Sequence, residues 1–233
     1  MVVTAPPKIL CVHPHSELYG SDRVFIRSVQ AFRERWPDAH VTVLLRSEGP
    51  GAQALRETGA DVQIAPINGL RRAKLGRTIA NMARLPLDMI AAWRRMRGQD
   101  LVYISTVVVL DYILATRFSR TPAMIHLHEL PAGREGQVFA GLLRWSNARF
   151  ICISAAVRDA FPGMSGREMP VVWNGVADRP VAPPDRGDGK LHLLLIGRFN
   201  AWKGQPLLID AVAALSPDER ARLAVRIVGS VYQ

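Results

Sequence analysis

From Lys8 onward, short apolar runs alternate with longer segments of helical character. The runs at 9–13, 41–45, 62–65, 101–105, 123–128, 150–154 and 171–173 are mostly Val, Ile and Leu, continuous in hydrophobicity and without polar alternation. Strands read like that when both faces are covered, as in parallel sheets. Between them, 22–35, 52–58, 74–97, 136–145 and 155–161 carry helical patterning. The longest apolar run, 101–110, is stopped by Asp111 and suits a buried strand running into a helix. This alternation predicts a doubly wound α/β fold with right-handed crossovers.

At 177–190 the composition changes to ADRPVAPPDRGDGK, rich in Pro, Gly and charge. Such a stretch adds nothing to a core and reads as a linker. After it the pattern restarts with a strand at 191–196, a helix at 206–215 and a strand at 225–228. The expected organisation is a complete N-terminal α/β domain at 1–176, a linker at 177–190, and a second Rossmann-like domain, only begun, at 191–233. Two strands and one main helix leave a sheet face and edge uncovered, so the sequence is expected to be cut short.

With 48% hydrophobic and 21% charged residues, the chain suits a packed core and not a disordered coil. No apolar run approaches the length of a membrane span, and the start MVVTAPPKIL lacks the pattern of a secretory signal. The two cysteines, Cys11 and Cys152, lie in strand-like runs and read as small buried hydrophobes in a reducing compartment. The expected location is the cytoplasm. The net charge of +10 favours acidic partners. Most of it lies in 70–97, where eight cations face Asp88 alone. In that stretch Leu75, Ile79, Met82, Met89, Ile90, Trp93 and Met96 are expected on one helix face, with Arg77, Arg84 and Arg95 opposite. Pro86 is expected to kink or divide the helix. The primary role is a covering helix, with the three arginines turned toward anionic lipid headgroups. No aromatic stacking platform or recognition motif accompanies the charge, so nucleic acid is not an expected partner.

Ligands of open parallel sheets sit beyond the carboxyl ends of the strands, which directs attention to three loops. HPHSELYGSDRV (13–24) offers Gly20 for close backbone approach, with Ser21 or Asp22 as helix cap beside an anion-favouring N-terminus. An ordinary capped loop reads equally well. The loop lacks the G-x-G-x-x-G and Walker patterns. MIHLHELP (124–131) places His126 and His128 on one strand face with Glu129 opposite. A histidine there can hydrogen-bond a sugar hydroxyl or assist proton movement, or be purely structural. A metal site from these two with His13 and His15 is the rival, but no H-E-x-x-H or similar spacing supports it. LLLIGRFNAWKGQPLLIDAV (193–212) delivers Gly197 and Arg198 from a buried strand, then opens a helix at Lys203–Gly204. Two cations beside a helix N-terminus form a cradle for a diphosphate, Arg as a planar fork and Lys as a point charge.

With these motifs in order (ILCVHPHSELYGSDR, IHLHE, ICIS, VVWNGV, IGRFNAWKG, LLIDAVAAL, VRIVGS), nearly the whole chain resembles the family 4 glycosyltransferases of GT-B architecture. The resemblance implies transfer of a sugar from a nucleotide-sugar co-substrate to an acceptor hydroxyl, with retention at the anomeric carbon and no required cofactor or metal. It implies that Arg198 and Lys203 bind the donor diphosphate and neutralise it as it leaves, and that Gly20 lets the first loop approach phosphate and sugar. His128 matches the histidine near the transferred sugar; His126, Glu129 and Ser21 are candidate sugar or acceptor contacts. Asn174 and Gly175 resemble the turn leading to the hinge. Two departures stand out: Gly20–Ser21 replaces a glycine pair, and the family's downstream glutamate pair has no counterpart before Gln233. The 233 residues are therefore expected to bind donor poorly and turn over little. Expected acceptors are glycans or lipid-linked sugars at the cytoplasmic membrane face. The alternative is a non-catalytic basic α/β module docking on anionic membrane or a partner.

Overall fold

The computed structural model describes residues 5–69, 75–131, 133–164, 166–176, 187–200 and 203–230, with backbone alone for 75–81. The chain divides into two compact units, Met1–Val176 and Ala177–Gln233.

The first unit is a six-stranded parallel sheet. Its strands are β1 (Lys8–Val12), β2 (His40–Leu45), β3 (Asp61–Ile64), β4 (Leu101–Ser105), β5 (Ala123–Leu127) and β6 (Arg149–Cys152), in the order β3-β2-β1-β4-β5-β6. The order reverses between β1 and β4, which opens a crevice at their carboxyl ends. The helices are α1 (Gly20–Arg35), α2 (Pro50–Glu57), α3 (Leu75–Met96), α4 (Leu110–Ala115), α5 (Arg134–Trp145) and α6 (Ala155–Asp159), with a 3₁₀ turn at Thr116–Phe118. Successive strand residues feed opposite cores. Ile9, Cys11, Val43 and Tyr103 pack with Phe25 and Val29 of α1. Leu10, Val12, Ile104 and Ile125 pack with residues of α3, α4 and α5. Burial of both faces explains the unbroken apolar runs in the sequence. Cys11 and Cys152 are buried and carry free thiols.

Several sequence expectations are corrected. Residues 171–173 do not form a strand; Val171 makes one bridge to Cys152, and Val172 and Trp173 are exposed. Pro170, lacking an N–H, can only accept there, from the Cys152 amide at 2.9 Å. Pro86 lies inside α3 without dividing it. Pro86 and Met82 are both exposed, so the carbonyl deprived of its partner can meet water. The faces of α3 also differ from the expected pattern. Ala92 and Met96 are buried and Met89 and Trp93 pack on the core, but Met82 and Ile90 face solvent. Arg95 turns inward, its Nη1 donating to the Tyr112 hydroxyl at 3.4 Å, while Arg94 and Arg97 are exposed. A helix one residue off the assumed phase exchanges such neighbours.

The second unit has β7 (Leu191–Ile196) pairing in parallel with β8 (Leu223–Val228), connected by α7 (Gln205–Ala213) and α8 (Pro217–Ala221). Leu194, Ile196, Leu207 and Ile209 on it are exposed. Most of the expected linker, 177–186, lies outside the described residues.

Candidate active site

In the first unit, three loops at the β1/β4 crevice bring the sequence-predicted residues together. The loop after β1 is held from below: the Ser16 hydroxyl donates to Glu48 O at 2.9 Å, and the Gly51 amide donates to Ser16 O at 2.6 Å. A Cβ on Gly51 would stand 2.6 Å from Glu17 O, so only glycine permits this backbone contact. The loop ends with Tyr19 as N-cap of α1, not Ser21 or Asp22. Asp22, in the first turn, instead accepts the Tyr19 amide at 2.9 Å and His13 Nε2–H at 2.7 Å. His13 and Asp22 are both buried. Burial alone raises the Asp22 carboxyl, but the His13 bond and charge, the Tyr19 amide and His15 reverse the sign and lower it. Gly20 is exposed, with nothing within 4 Å of where a Cβ would point, and Ser21 is half-buried beside it.

Across the switch point, His13 Nδ1 stands 3.4 Å from Ser105 O at the end of β4. A separate hydroxyl chain links α1, β4 and β5. Ser28 Oγ donates to Val24 O at 3.0 Å and lies 2.9 Å from the Tyr103 hydroxyl, which lies 2.6 Å from His126 Nδ1. With the serine proton committed to Val24, Tyr103 donates to Ser28 and accepts from His126 Nδ1–H. That tautomer leaves His126 Nε2 as a bare lone pair, and this atom is buried without a partner among the described residues. The His128 ring lies 4.2 Å from that of His126, and its Nε2 is 3.5 Å from Ser105 Oγ. Burial pushes His126 down to about 4. Burial, then the neighbouring His126 and His13, push His128 down to about 3. Both are neutral at pH 7, suited to hydrogen bonding and weak as general bases.

Glu129 faces the loop after β4. Its carboxylate accepts from the Thr106 hydroxyl, the Val107 amide at 3.3 Å and the His128 amide at 3.1 Å. Thr106 is the described non-glycine residue with positive φ, at 112°. Such strain persists only where surroundings hold it, and Glu129 supplies that restraint. Thr106, Tyr103 and the His13–Asp22 pair carry no local signal, because their partners are remote in the chain or nine residues apart without a motif.

At the same sheet end, Arg46, Ile67, Asn68, Arg84 and Asp88 line a pocket of about 340 Å³. Asn68 Nδ2 donates to Asp88 at 3.0 Å and its amide donates to Asp111 at 2.9 Å. Burial pushes the Asp111 carboxyl up to about 7. Arg84 is exposed and pairs loosely with Asp88 at 3.9 Å; the Arg77 side chain lies outside the described residues. His13, His15 and Asp22 have potential ligand atoms within 4.8 Å of one another. The 2.7 Å His13–Asp22 hydrogen bond already satisfies two of these atoms.

On the second unit, β7 runs into Gly197 and half-buried Arg198, and α7 begins after Gly204 (φ 81°) as N-cap. Gln205 Nε2 donates to Arg198 O at 2.8 Å, fixing the loop to the helix. Pro206 stands in the first turn, where its missing N–H is no loss. Lys203 is exposed at the same N-terminus. A Cβ on Gly229, after β8, would collide with Gly197 O, so backbone packs on backbone behind this loop.

No protein-family model matches the chain, and a search of curated proteins returns no match. Solved structures do match. HepE of Anabaena, crystallised with UDP and glucose, aligns at a TM-score of 0.68 and 22% identity over 97% of this chain and 62% of its own. The lipopolysaccharide outer core galactosyltransferase WaaB aligns at 0.67 and 19% identity, over 96% and 61%. MurG of Acinetobacter baumannii aligns at 0.53 and 17%, over 96% and 66%. The chain thus has the α/β fold of GT-B glycosyltransferases and spans less than two thirds of the length of these structures.

Proposed function

We propose that the chain belongs to a glycosyltransferase that moves a sugar from a nucleotide-sugar donor to an acceptor hydroxyl. The observation that carries this reading is the strand–Gly197–Arg198–Lys203–Gly204–helix arrangement of the second unit. There a planar guanidinium, an ammonium and the unpaired N–H groups of a helix start offer a cradle to a diphosphate. Negative charge grows on diphosphate oxygens as a glycosidic bond breaks, so fixed cations there favour the transition state over the ground state. The co-crystallised UDP of HepE, a protein of the same fold, supports such a donor.

In this reading Arg198 and Lys203 hold the leaving diphosphate and Gly20 leaves room for phosphate and sugar. His128 hydrogen-bonds the transferred sugar as a neutral imidazole. His126 Nε2 accepts from a ligand hydroxyl, Ser21 is an alternative contact, and Glu129 shapes the crevice by holding Thr106. We assign the enzyme to family 4, with retention and without a metal. The acceptor is a glycan or lipid-linked sugar met at the cytoplasmic membrane face, and the pocket of Arg46, Asn68 and Arg84 is its first candidate site. Arg198→Ala in the full-length gene product tests the assignment. Loss of one charge-assisted contact to the departing phosphate predicts a fall in kcat/KM of roughly 100-fold or more. Unchanged turnover with nucleotide sugars would sink it.

A further inference from the structure

The candidate site occupies the carboxyl end of the first sheet, but the most unusual surface lies at the other end. Three successive helix-to-strand loops descend to the amino ends of the adjacent strands β4, β5 and β6, at residues 93–99, 116–121 and 144–149. They carry three aromatic side chains, Trp93, Phe118 and Trp145. Trp93 Nε1 donates to Phe118 O at 3.0 Å, and the Phe118 ring meets that of Trp145 edge-on at 5.7 Å. Phe118 is 59% exposed and Trp145 41%. A guanidinium flanks each end, Arg97 over Trp93 at 4.9 Å and Arg117 over Trp145 at 5.9 Å. Such rings are seldom left at a surface together without a partner.

The charge is one-sided. These three loops contain seven arginines and no Asp or Glu. Six of them, Arg94, Arg97, Arg117, Arg120, Arg144 and Arg149, are exposed, and among the described residues none forms an ion pair. Asp100, just before β4, is the one carboxylate beside these loops in the sequence, and it accepts the Lys8 amide at 2.8 Å. On α3, Leu87, Ile90, Arg94 and Arg97 are spaced by three or four residues, and all are exposed. This stripe joins the patch to the part of α3 that walls the pocket of Arg84 and Asp88.

We propose that this surface docks the protein on an anionic phospholipid bilayer, with the three rings at the headgroup boundary and the arginines on lipid phosphates. Amphipathic rings favour that boundary, and arginine forks pair with phosphate oxygens. Single-stranded nucleic acid suits the patch less. Arg97 covers one face of Trp93, and Phe118 meets Trp145 edge-on, so these rings are not aligned in parallel for successive bases. The proposal is independent of the donor chemistry, because the patch lies at the opposite end of the sheet from the candidate site.

The test is co-sedimentation of the full chain with vesicles of equimolar phosphatidylcholine and phosphatidylglycerol, against phosphatidylcholine alone. Each arginine near such a surface is worth about fivefold in partitioning. The pair Arg97→Gln with Arg120→Gln should therefore weaken binding by roughly 25-fold. The pair Arg222→Gln with Arg226→Gln, exposed on the second unit and equal in charge, should change it little. Phe118→Ser, which alters no charge, should weaken it by about tenfold. Circular dichroism establishes that each variant is folded. Equal binding to uncharged vesicles, equal loss in the two arginine pairs, an unaffected Phe118→Ser, or displacement by stoichiometric single-stranded DNA overturns the proposal.

Discussion

Replacing Gly20 with alanine separates what the fold needs from what a ligand needs at the first loop. Gly20 opens α1, is not among the residues with positive φ, and has no heavy atom within 4 Å of the position its Cβ would take. Inside the protein the added methyl therefore meets nothing. Alanine is the better helix former by about 0.5–1 kcal/mol in a helix interior and by less at the first turn. The melting temperature should hold or rise by up to about 3 °C. A donor phosphate drawn close to this backbone would meet the methyl, and crowding of that kind costs about 1–3 kcal/mol. That corresponds to a fall of roughly 5- to 150-fold in donor affinity or kcat/KM. The assay pairs thermal melts with donor titration and turnover of the full-length gene product. Gly51→Ala supplies the contrast, since its Cβ would press on the Glu17 and Ser16 carbonyls and should lower stability itself. A stable Gly20→Ala variant with unimpaired donor binding and turnover would refute the idea that ligand occupies this space.

The two crevice histidines should not titrate between pH 8 and 5 in ring NMR spectra, because their pKa values of about 4 and 3 lie below the usual 6.5. In the unfolded chain they would bind protons first, so the stability tied to their neutrality is present above 6.5 and is lost as the pH falls towards 4. A resonance from either ring moving near pH 6.5 contradicts the burial argument. Asp111 has the opposite sign: its raised pKa of about 7 favours the folded state below 3.8 and loses that advantage as the pH rises through 7. Added zinc should leave the melting temperature unchanged, since binding at His13, His15 and Asp22 must first break the 2.7 Å His13–Asp22 bond. A saturable rise that His15→Ala removes would establish a metal site instead.

The doubly wound sheet was legible because burial on both faces writes itself into unbroken runs such as 101–105, which matches its strand to the residue. Where burial is one-sided the reading slipped. Val171–Trp173 is as apolar as a strand, but solvent covers most of it, and α3 showed enough apolar residues to fit more than one phase. The site was legible in its members and not in its connections. His126, His128 and Glu129 stood out by position, but which proton each holds depends on Tyr103, Ser28 and Thr106, supplied from other strands and helices. A tautomer is decided by the whole hydrogen-bond chain, and no local spacing encodes it.

Those connections assign different chemistry to the two units. The crevice of the first unit holds rings kept neutral by burial, with one bare nitrogen lone pair, and its carboxylates are committed to amides, a hydroxyl and His13. The loop of the second unit offers cations at a helix start. Sugar hydroxyls need neutral donors and acceptors, whereas a departing diphosphate needs positive charge. Burial keeps the His128 imidazole neutral, and a neutral ring suits a sugar hydroxyl. On the proposed reading, turnover should therefore be level from pH 8 down to about 5, with no limb near 6.5 from either ring. An acidic limb near 6.5 that vanishes in His128→Gln would show that the imidazole moves a proton, and would replace the hydrogen-bonding role with general catalysis.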